Sequence, residues 1–180
     1  MALNATMHSF AIQLADVDRG VYTDMEVRVA RHPSETAEFM LTRLLAYCLE
    51  YTEGIAFSDG GVSATDEPAV AVRDATGRLL CWIEIGAPDA ERVHRGSKAA
   101  ERVAIYTHRD PAKVLAQLRG KRIHRAEQIP LYALDRAFID AAVAAIERRN
   151  TLTLSVTERR LYLDVNGTGF ETAVTEHRLG

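Results

Sequence analysis

The sequence predicts one mixed α/β (α+β) domain over residues 1–180, with β-rich ends around a middle of alternating helices and strands. The first observation is composition: 180 residues, 47% hydrophobic and 26% charged, suit a single globular domain. The second is the alternation of apolar and polar residues near both termini, which predicts half-buried strands. The third is a switch between helical and strand periods across residues 34–134, which predicts a sheet covered by helices.

The N-terminal end is predicted to be a β-hairpin followed by a helix. Residues 8–17 and 22–30 alternate, and the polar residues 16–20 between them suit a turn. We expect a helix over residues 34–51, because Pro33 is tolerated in a first turn and apolar residues then recur at helical spacing.

The remaining elements follow from the same two periods. Strands are predicted at Ile55–Phe57, 69–73, Leu79–Ile85, 103–106, 129–134, 152–156, 161–165 and 170–174, and helices at 89–100, Pro111–Leu118 and 136–149. Leu79–Ile85 is apolar on both alternating faces, so we expect it to be a central strand covered on both sides. The two ends, 5–31 and 150–176, are expected to pair into a second sheet of accessory antiparallel strands.

The cysteines and the N-terminus predict a cytoplasmic protein. Cys48 and Cys81 both lie among apolar neighbours, which indicates two buried thiols in a reducing compartment rather than a disulfide. Residues 1–10 lack the basic and apolar segments of a signal peptide. We find no apolar run long enough to cross a bilayer, so no membrane partner is expected.

Positive charge is concentrated in one segment. The whole chain carries a net charge of −3, but residues 91–125 hold ten Lys/Arg against three acids, so this segment is +7 and the rest is −10. Such asymmetry attracts phosphates despite an acidic total, although a solvated surface between core elements would have the same pattern. The candidate contacts to a DNA or RNA backbone are Arg92, Arg95, Lys121, Arg122 and Arg125.

Glu84 is the residue most informative about chemistry. It stands inside the apolar run Leu-Leu-Cys-Trp-Ile-Glu-Ile, where an unpaired buried charge costs several kcal/mol. Such a carboxylate has a partner, a metal or a catalytic role. The alternative is an exposed position near the strand end, paired with an arginine.

A second pair of acids precedes the neighbouring strand. Asp66 and Glu67 lie 18 and 17 positions before Glu84. A hairpin between the two strands would place one of these acids beside Glu84, where the two carboxylates would repel each other unless a cation separated them. Oxygen ligands suit Mg²⁺ or Mn²⁺, and such an ion polarises a phosphodiester and activates water.

Five stretches carry a resemblance to a known family. They lie at residues 1–6, 30–38, 66–68, 82–89 and 97–106, and the most distinctive runs within them are Arg-His-Pro-Ser-Glu-Thr and Trp-Ile-Glu-Ile-Gly. In these motifs the chain resembles the YaeQ family over essentially its whole length. That family is similar in fold to PD-(D/E)XK nucleases, so the resemblance implies a restriction-endonuclease-like core over about residues 34–134.

The resemblance also implies roles for individual residues. Asp66, or Glu67, would be the first metal-binding acid and Glu84 the second. A lysine normally stands two residues after the second acid, but this chain has Gly86 there. Lys98 on the next helix would take its place, as migrated lysines do in that superfamily.

The first predicted helix would contribute one more acid. Glu38 lies at the flank of its apolar face, whereas Glu35 points further away, so Glu38 is preferred. Both acids would otherwise serve as partners of the helix dipole.

Three functions are consistent with these features. The first is a Mg²⁺- or Mn²⁺-dependent nuclease-like hydrolase using Asp66, Glu84, Lys98 and Glu38. The second is a non-catalytic module on the same scaffold that binds nucleic acid or the transcription machinery, since the family is associated with transcription elongation. Gly86 in place of lysine favours this second function. The third is a small-molecule phosphatase or phosphodiesterase with the same acids.

Overall fold

The computed structural model describes residues 4–58 and 66–180. The strands in these residues are β1 (Thr6–Asp16), β2 (Val21–Arg31), β3 (Ile55–Phe57), β4 (Val70–Arg73), β5 (Leu79–Ile85), β6 (Arg102–Thr107), β7 (Pro130–Ala133), β8 (Arg149–Thr157), β9 (Arg160–Val165), β10 (Thr168–Ala173) and β11 (Thr175–Arg178). The helices are α1 (Ala37–Leu49), α2 (Ala90–Ala99), α3 (Pro111–Leu118) and α4 (Arg136–Val143), with a short 3-10 helix at Ala126–Gln128. The predicted mixed α+β class is confirmed, and it contains two mixed sheets.

The first sheet combines both ends of the chain, as predicted, in the order β10-β9-β8-β1-β2. The prediction that its strands are all antiparallel is wrong, because β1 and β8 run parallel, with Ile12 opposite Leu152. Hydrogen bonds at the start of β8 hold it beside the start of β1. The Ser9 N–H donates to the Arg148 carbonyl, and Asn150 Nδ2 donates to the Ser9 carbonyl.

The second sheet has the order β11-β7-β6-β5-β4-β3. Its β3, β4 and β5 form an antiparallel unit, and β6 and β7 then continue in parallel. The edge strand β11 was not predicted. After β10 ends in the first sheet, a single residue, Val174, separates it from β11 in the second. Its tetrapeptide Thr175-Glu-His-Arg178 lacks an apolar alternation that would predict a strand.

The elements stack in four layers. α1 and α4 pack between the two sheets, whereas α2 and α3 cover the other face of the second sheet. β5 is therefore covered on both sides, as predicted: Ile83 packs on the α1 side and Trp82 on the α2 side. Because α1 is also covered on both sides, its residues 40–46 are all buried, and they include the cation Arg43.

Two helices differ in length from their predictions. α1 begins at Ala37 rather than at residue 34, because the Thr36 hydroxyl accepts a hydrogen bond from the Phe39 N–H and thereby caps the helix. α4 ends at Val143 rather than at residue 149. Beyond it the Asn150 side chain bonds the backbone of Glu147, which holds the chain in a turn that leads into β8.

The cysteines are buried as predicted. Cys48 and Cys81 are both free thiols, and burial raises the pKa of Cys48 to about 12 and that of Cys81 to about 11. Neither thiol is therefore activated as a nucleophile. Within residues 4–58 and 66–180, the helices are all too short and too polar to cross a bilayer.

Candidate functional site

Glu84 is buried on β5 and has an arginine partner. Side chains alternate along a strand, so Glu84 shares the α2-facing side of the sheet with Trp82, and 3% of the residue is exposed. Its Oε1 accepts one hydrogen bond from Trp82 Nε1 at 2.6 Å and another from Arg92 Nε at 2.7 Å. The carboxylate is therefore buried rather than exposed, and an arginine pairs with it, as the alternative interpretation expected.

The position of Arg92 depends on how closely α2 approaches the sheet. Asp89 caps α2 by accepting a hydrogen bond from the Arg92 N–H at 2.8 Å. Gly96, one turn further along, lies against the indole of Trp82, and a Cβ at this position would stand only 2.7 Å from ring atoms. The absence of a side chain at Gly96 thus allows the first turn of α2 to reach Glu84.

Burial raises the pKa of Glu84 above its ordinary value, although the hydrogen bond and charge of Arg92 and the Trp82 N–H oppose that rise. Its second oxygen, Oε2, accepts no hydrogen bond from the residues that the structure describes. One oxygen of this carboxylate is therefore saturated with donors, and the other is still able to accept.

The structure does not bring Asp66 and Glu67 together with Glu84. The Asp66 side chain is 93% exposed and lies 3.8 Å from Arg95 Nη1. The Glu67 carboxylate accepts from the Ser58 hydroxyl at 2.7 Å, and its backbone carbonyl accepts from Arg92 Nη2. Over residues 4–58 and 66–180, no three His, Cys, Asp or Glu side chains come close enough to hold a metal ion. These residues do not fit Mg²⁺ or Mn²⁺ by themselves.

Gly86 ends the strand rather than continuing it. β5 stops at Ile85, and Gly86 adopts a left-handed conformation with φ of 83°, which a lysine would adopt only with strain. Lys98 is exposed near the C-terminal end of α2, and it lies six positions after Arg92, which corresponds to roughly 9 Å of helix. The basic residue beside Glu84 is therefore Arg92.

The two acids near α1 have exchanged their expected positions. Glu38 is partly exposed, and its backbone carbonyl accepts from the Thr42 hydroxyl. Glu35 precedes the helix and is buried, with one oxygen 2.9 Å from Arg43 Nη2. The preference for Glu38 rested on a helix that starts at residue 34. A start at Ala37 turns Glu35 inward instead.

A pocket of about 350 Å³ opens where β5 ends. Its charged lining consists of Glu84, Asp89, Arg43, Arg92 and Arg109, and the remainder is Phe39, Ala69 and residues 85–88. Arg43 comes from α1, Arg92 from α2, and Arg109 from the residues after β6. Three guanidinium groups from three separate elements therefore converge on the carboxylate that the sequence singled out.

Arg43 and Arg109 were not predicted as site residues. Arg43 had a detectable signal, because it lies between Met40 and Leu44 on the apolar face of α1, as Glu84 does in its strand. Arg109 had none, since it follows a strand in an ordinary loop position.

The five predicted nucleic-acid contacts have different roles. Arg92 bonds Glu84, and Arg95 pairs with Asp66 and Glu91. Arg125 donates to the Ser97 and Ala100 carbonyls, which closes the C-terminal end of α2. Lys121 and Arg122 are exposed and make no ion pair with the residues that the structure describes. Of the five, these two are the most available for an external phosphate.

Comparisons with known proteins agree over nearly the whole chain. The sequence model of the YaeQ protein family matches residues 1–174. A relative from Escherichia coli K12, called "Uncharacterized protein YaeQ", is 30% identical over 176 residues, which are 97% of each chain. A crystal structure of the YaeQ protein from Pseudomonas syringae has a TM-score of 0.84 and 29% identity, covering 98% of this chain and 96% of that one. The YaeQ protein from Xanthomonas axonopodis pv. citri follows with a TM-score of 0.80 and 25% identity, covering 97% of each chain.

Proposed function

The chain belongs to the YaeQ family, and we propose that it binds the phosphodiester backbone of nucleic acid on the face formed by α2 and α3. The binding is expected to be independent of base sequence, because phosphate contacts position a nucleic acid without reading it.

The observation that carries this proposal is the location of the basic segment 91–125. Both of its helices, α2 and α3, cover the same outer side of the second sheet. Exposed cations of the segment therefore point away from the remainder of the molecule, which carries the excess of acids. The exposed lysines and arginines available there are Lys98, Lys113, Lys121 and Arg122. A polyanion would be attracted to this face in spite of the net charge of −3.

Fluorescence anisotropy with labelled DNA and RNA oligonucleotides tests the proposal. We expect the affinity to fall steeply as salt rises, because bound cations release counterions from the nucleic acid. The double variant Lys121→Ala/Arg122→Ala should bind more weakly and with a shallower salt slope. Arg149→Ala, an exposed arginine at the start of β8, is the matched control and should bind as the wild type does. Equal affinity for all three proteins would reject the proposal.

We further propose that residues 34–134 form a PD-(D/E)XK-type core. The order of α1, the antiparallel unit β3–β5, α2 and the parallel strand β6 supports it. The association of the family with transcription elongation supports a nucleic-acid or transcription-machinery partner. We propose a cytoplasmic location as well.

Hydrolysis with Mg²⁺ or Mn²⁺ is the second candidate function, favoured by the unoccupied Oε2 of Glu84. The described residues do not complete such a site, so Asp66 or Glu67 would have to turn inward. Calorimetric titration with Mn²⁺ separates the candidates. Saturable binding that Glu84→Gln and Asp66→Asn both remove would favour hydrolysis, of nucleic acid or of a small phosphodiester. The wild type should show no such binding if the first proposal holds.

A further inference from the structure

Arg43 is a buried cation with too few acceptors. The residue is 3% exposed in the middle of α1. Its Nη2 donates to the Ala30 carbonyl at 2.9 Å and lies 2.9 Å from Glu35 Oε1. Nη2 also donates to Glu35 Oε2 at 3.3 Å, whereas Glu35 Oε1 and Arg43 Nε both lack a hydrogen-bond partner. A buried donor without an acceptor is costly, so the guanidinium calls for a further acceptor.

Arg109 lines the same pocket from the residues after β6. Its backbone N–H donates to the Thr107 hydroxyl at 3.0 Å, which fixes the chain just beyond β6. The Arg109 guanidinium has no acceptor among residues 4–58 and 66–180. The side chains of Arg43 and Arg109 therefore line one cavity from two elements. Each lining carboxylate has one oxygen engaged, because Glu84 Oε1 accepts from Trp82 and Arg92, and Asp89 Oδ1 accepts from the Arg92 N–H. The lining holds three guanidinium groups against these two carboxylates, so its charge still favours an anion.

Arg92 closes one side of the cavity. Its guanidinium bonds Glu84 on β5 with one edge and the Glu67 carbonyl, before β4, with another nitrogen. A nucleic-acid strand that continued past Arg92 would have to break both contacts, whereas the end of a strand would not. The cavity volume of about 350 Å³ lies in the lower range of small-ligand pockets.

We infer that this pocket binds a terminal phosphate, the phosphomonoester of a nucleotide or of a strand end, between Arg43 and Arg109. One guanidinium group binds two phosphate oxygens through parallel N–H bonds, and the buried Arg43 and the exposed Arg109 would both contribute donors to the phosphate. The choice of nucleic-acid ends as the ligand rests on the proposed function above, whereas the phosphate site itself is inferred from the arginines that line the pocket.

Three oligonucleotides of one sequence test the inference: one with a 5′-phosphate, one with a 3′-phosphate and one with hydroxyl ends. We expect one phosphorylated end to bind at least about tenfold tighter than the hydroxyl ends, measured by anisotropy. Arg109→Ala should remove that preference. Ala87→Glu, which adds a carboxylate to the exposed part of the lining, should remove it as well. Arg149→Ala should keep it.

Calorimetry with inorganic phosphate separates this inference from the proposed function. If all three oligonucleotides bind equally, the inference is overturned while backbone binding stands. If no oligonucleotide binds, yet inorganic phosphate binds the wild type and not Arg109→Ala, the phosphate site stands and nucleic-acid binding falls. Phosphate binding that survives both pocket variants overturns the inference. Thermal melting of each variant checks its folding. Arg43 is not substituted, because its loss would leave the buried Glu35 carboxylate without its cation.

Discussion

At position 84 a carboxylate is held inside a central strand by two N–H donors on one oxygen. The indole N–H of Trp82 comes from the same strand face, and the guanidinium of Arg92 comes from the next helix. Burial still outweighs them, because the pKa of Glu84 is raised. The two donors therefore offset only part of the cost of burying the charged carboxylate. Such perturbed carboxylates cluster at functional sites.

This balance predicts how stability changes with pH. A raised folded-state pKa means that the contribution of Glu84 is full below its unfolded value and is lost as pH rises through its folded value. The Glu84→Gln variant lacks that loss. We therefore expect the free energy of unfolding of Glu84→Gln, relative to the wild type, to increase with pH above about pH 4.5 and then to level off.

Urea denaturation at a series of pH values measures the difference. Glu53→Gln, an exposed acid after α1, gives the effect of the chemical change alone. A difference for Glu84→Gln that falls with rising pH would mean that the attraction of Arg92 outweighs burial.

At the scale of elements, the contact between α2 and β5 decides where the site lies. Gly96 is an unfavourable residue for a helix interior, yet it stands where α2 touches Trp82. Helix propensity and packing therefore predict opposite changes in the free energy of unfolding for Gly96→Ala.

We expect Gly96→Ala to destabilise the protein by about 1–3 kcal/mol, because the added methyl group overlaps the indole and α2 must shift. Helix propensity alone would instead stabilise it by about 1 kcal/mol. The chain has a single tryptophan, so the fluorescence of Trp82 reports the disturbance directly. Ala99→Gly, on the exposed side of the same helix, should cost about 1 kcal/mol without changing that fluorescence. A stabilised Gly96→Ala would refute the close contact.

At the scale of the whole molecule, the C-terminal segment ties the two sheets together. β10 belongs to the first sheet and β11 to the second, with α1 and α4 packed between them. The chain then buries Leu179 among α3, β6 and β7, on the outer side of the second sheet. The layers are therefore joined covalently at the end of the chain as well as by the apolar core.

We expect the protein to unfold in a single transition, in which Trp82 fluorescence and far-UV circular dichroism coincide. Leu179→Ala should lower the free energy of unfolding by about 2–5 kcal/mol through the cavity that it leaves. Val17→Ala, at a half-exposed position in the turn after β1, is the control and should change it little. Two separated transitions in the wild type would contradict this coupling of the layers.

Much of the fold could be predicted from local patterns. Leu79–Ile85 and Pro111–Leu118 have the bounds that their periodicity predicts, and the N-terminal hairpin is present. The errors fall where a distant or short-range polar contact overrides the pattern. The Thr36 cap starts α1 three residues later than predicted. The bonds of Asn150 to Glu147 hold a turn where the helix was predicted to continue. β11 pairs with β7, a contact that no local pattern records.

The sequence by itself determined that Glu84, a carboxylate in an apolar strand, would need a partner, and it left open whether the side chain would be buried or exposed near the strand end. Only the tertiary structure decided that the partner is Arg92 rather than Lys98, and that Asp66 pairs with Arg95 instead. It also brought Arg43 and Arg109 to the same pocket from positions 66 residues apart. Periodicity records which face of an element is buried. Which side chains meet across layers depends on the packing distance between elements, and here on a glycine that lets α2 approach β5.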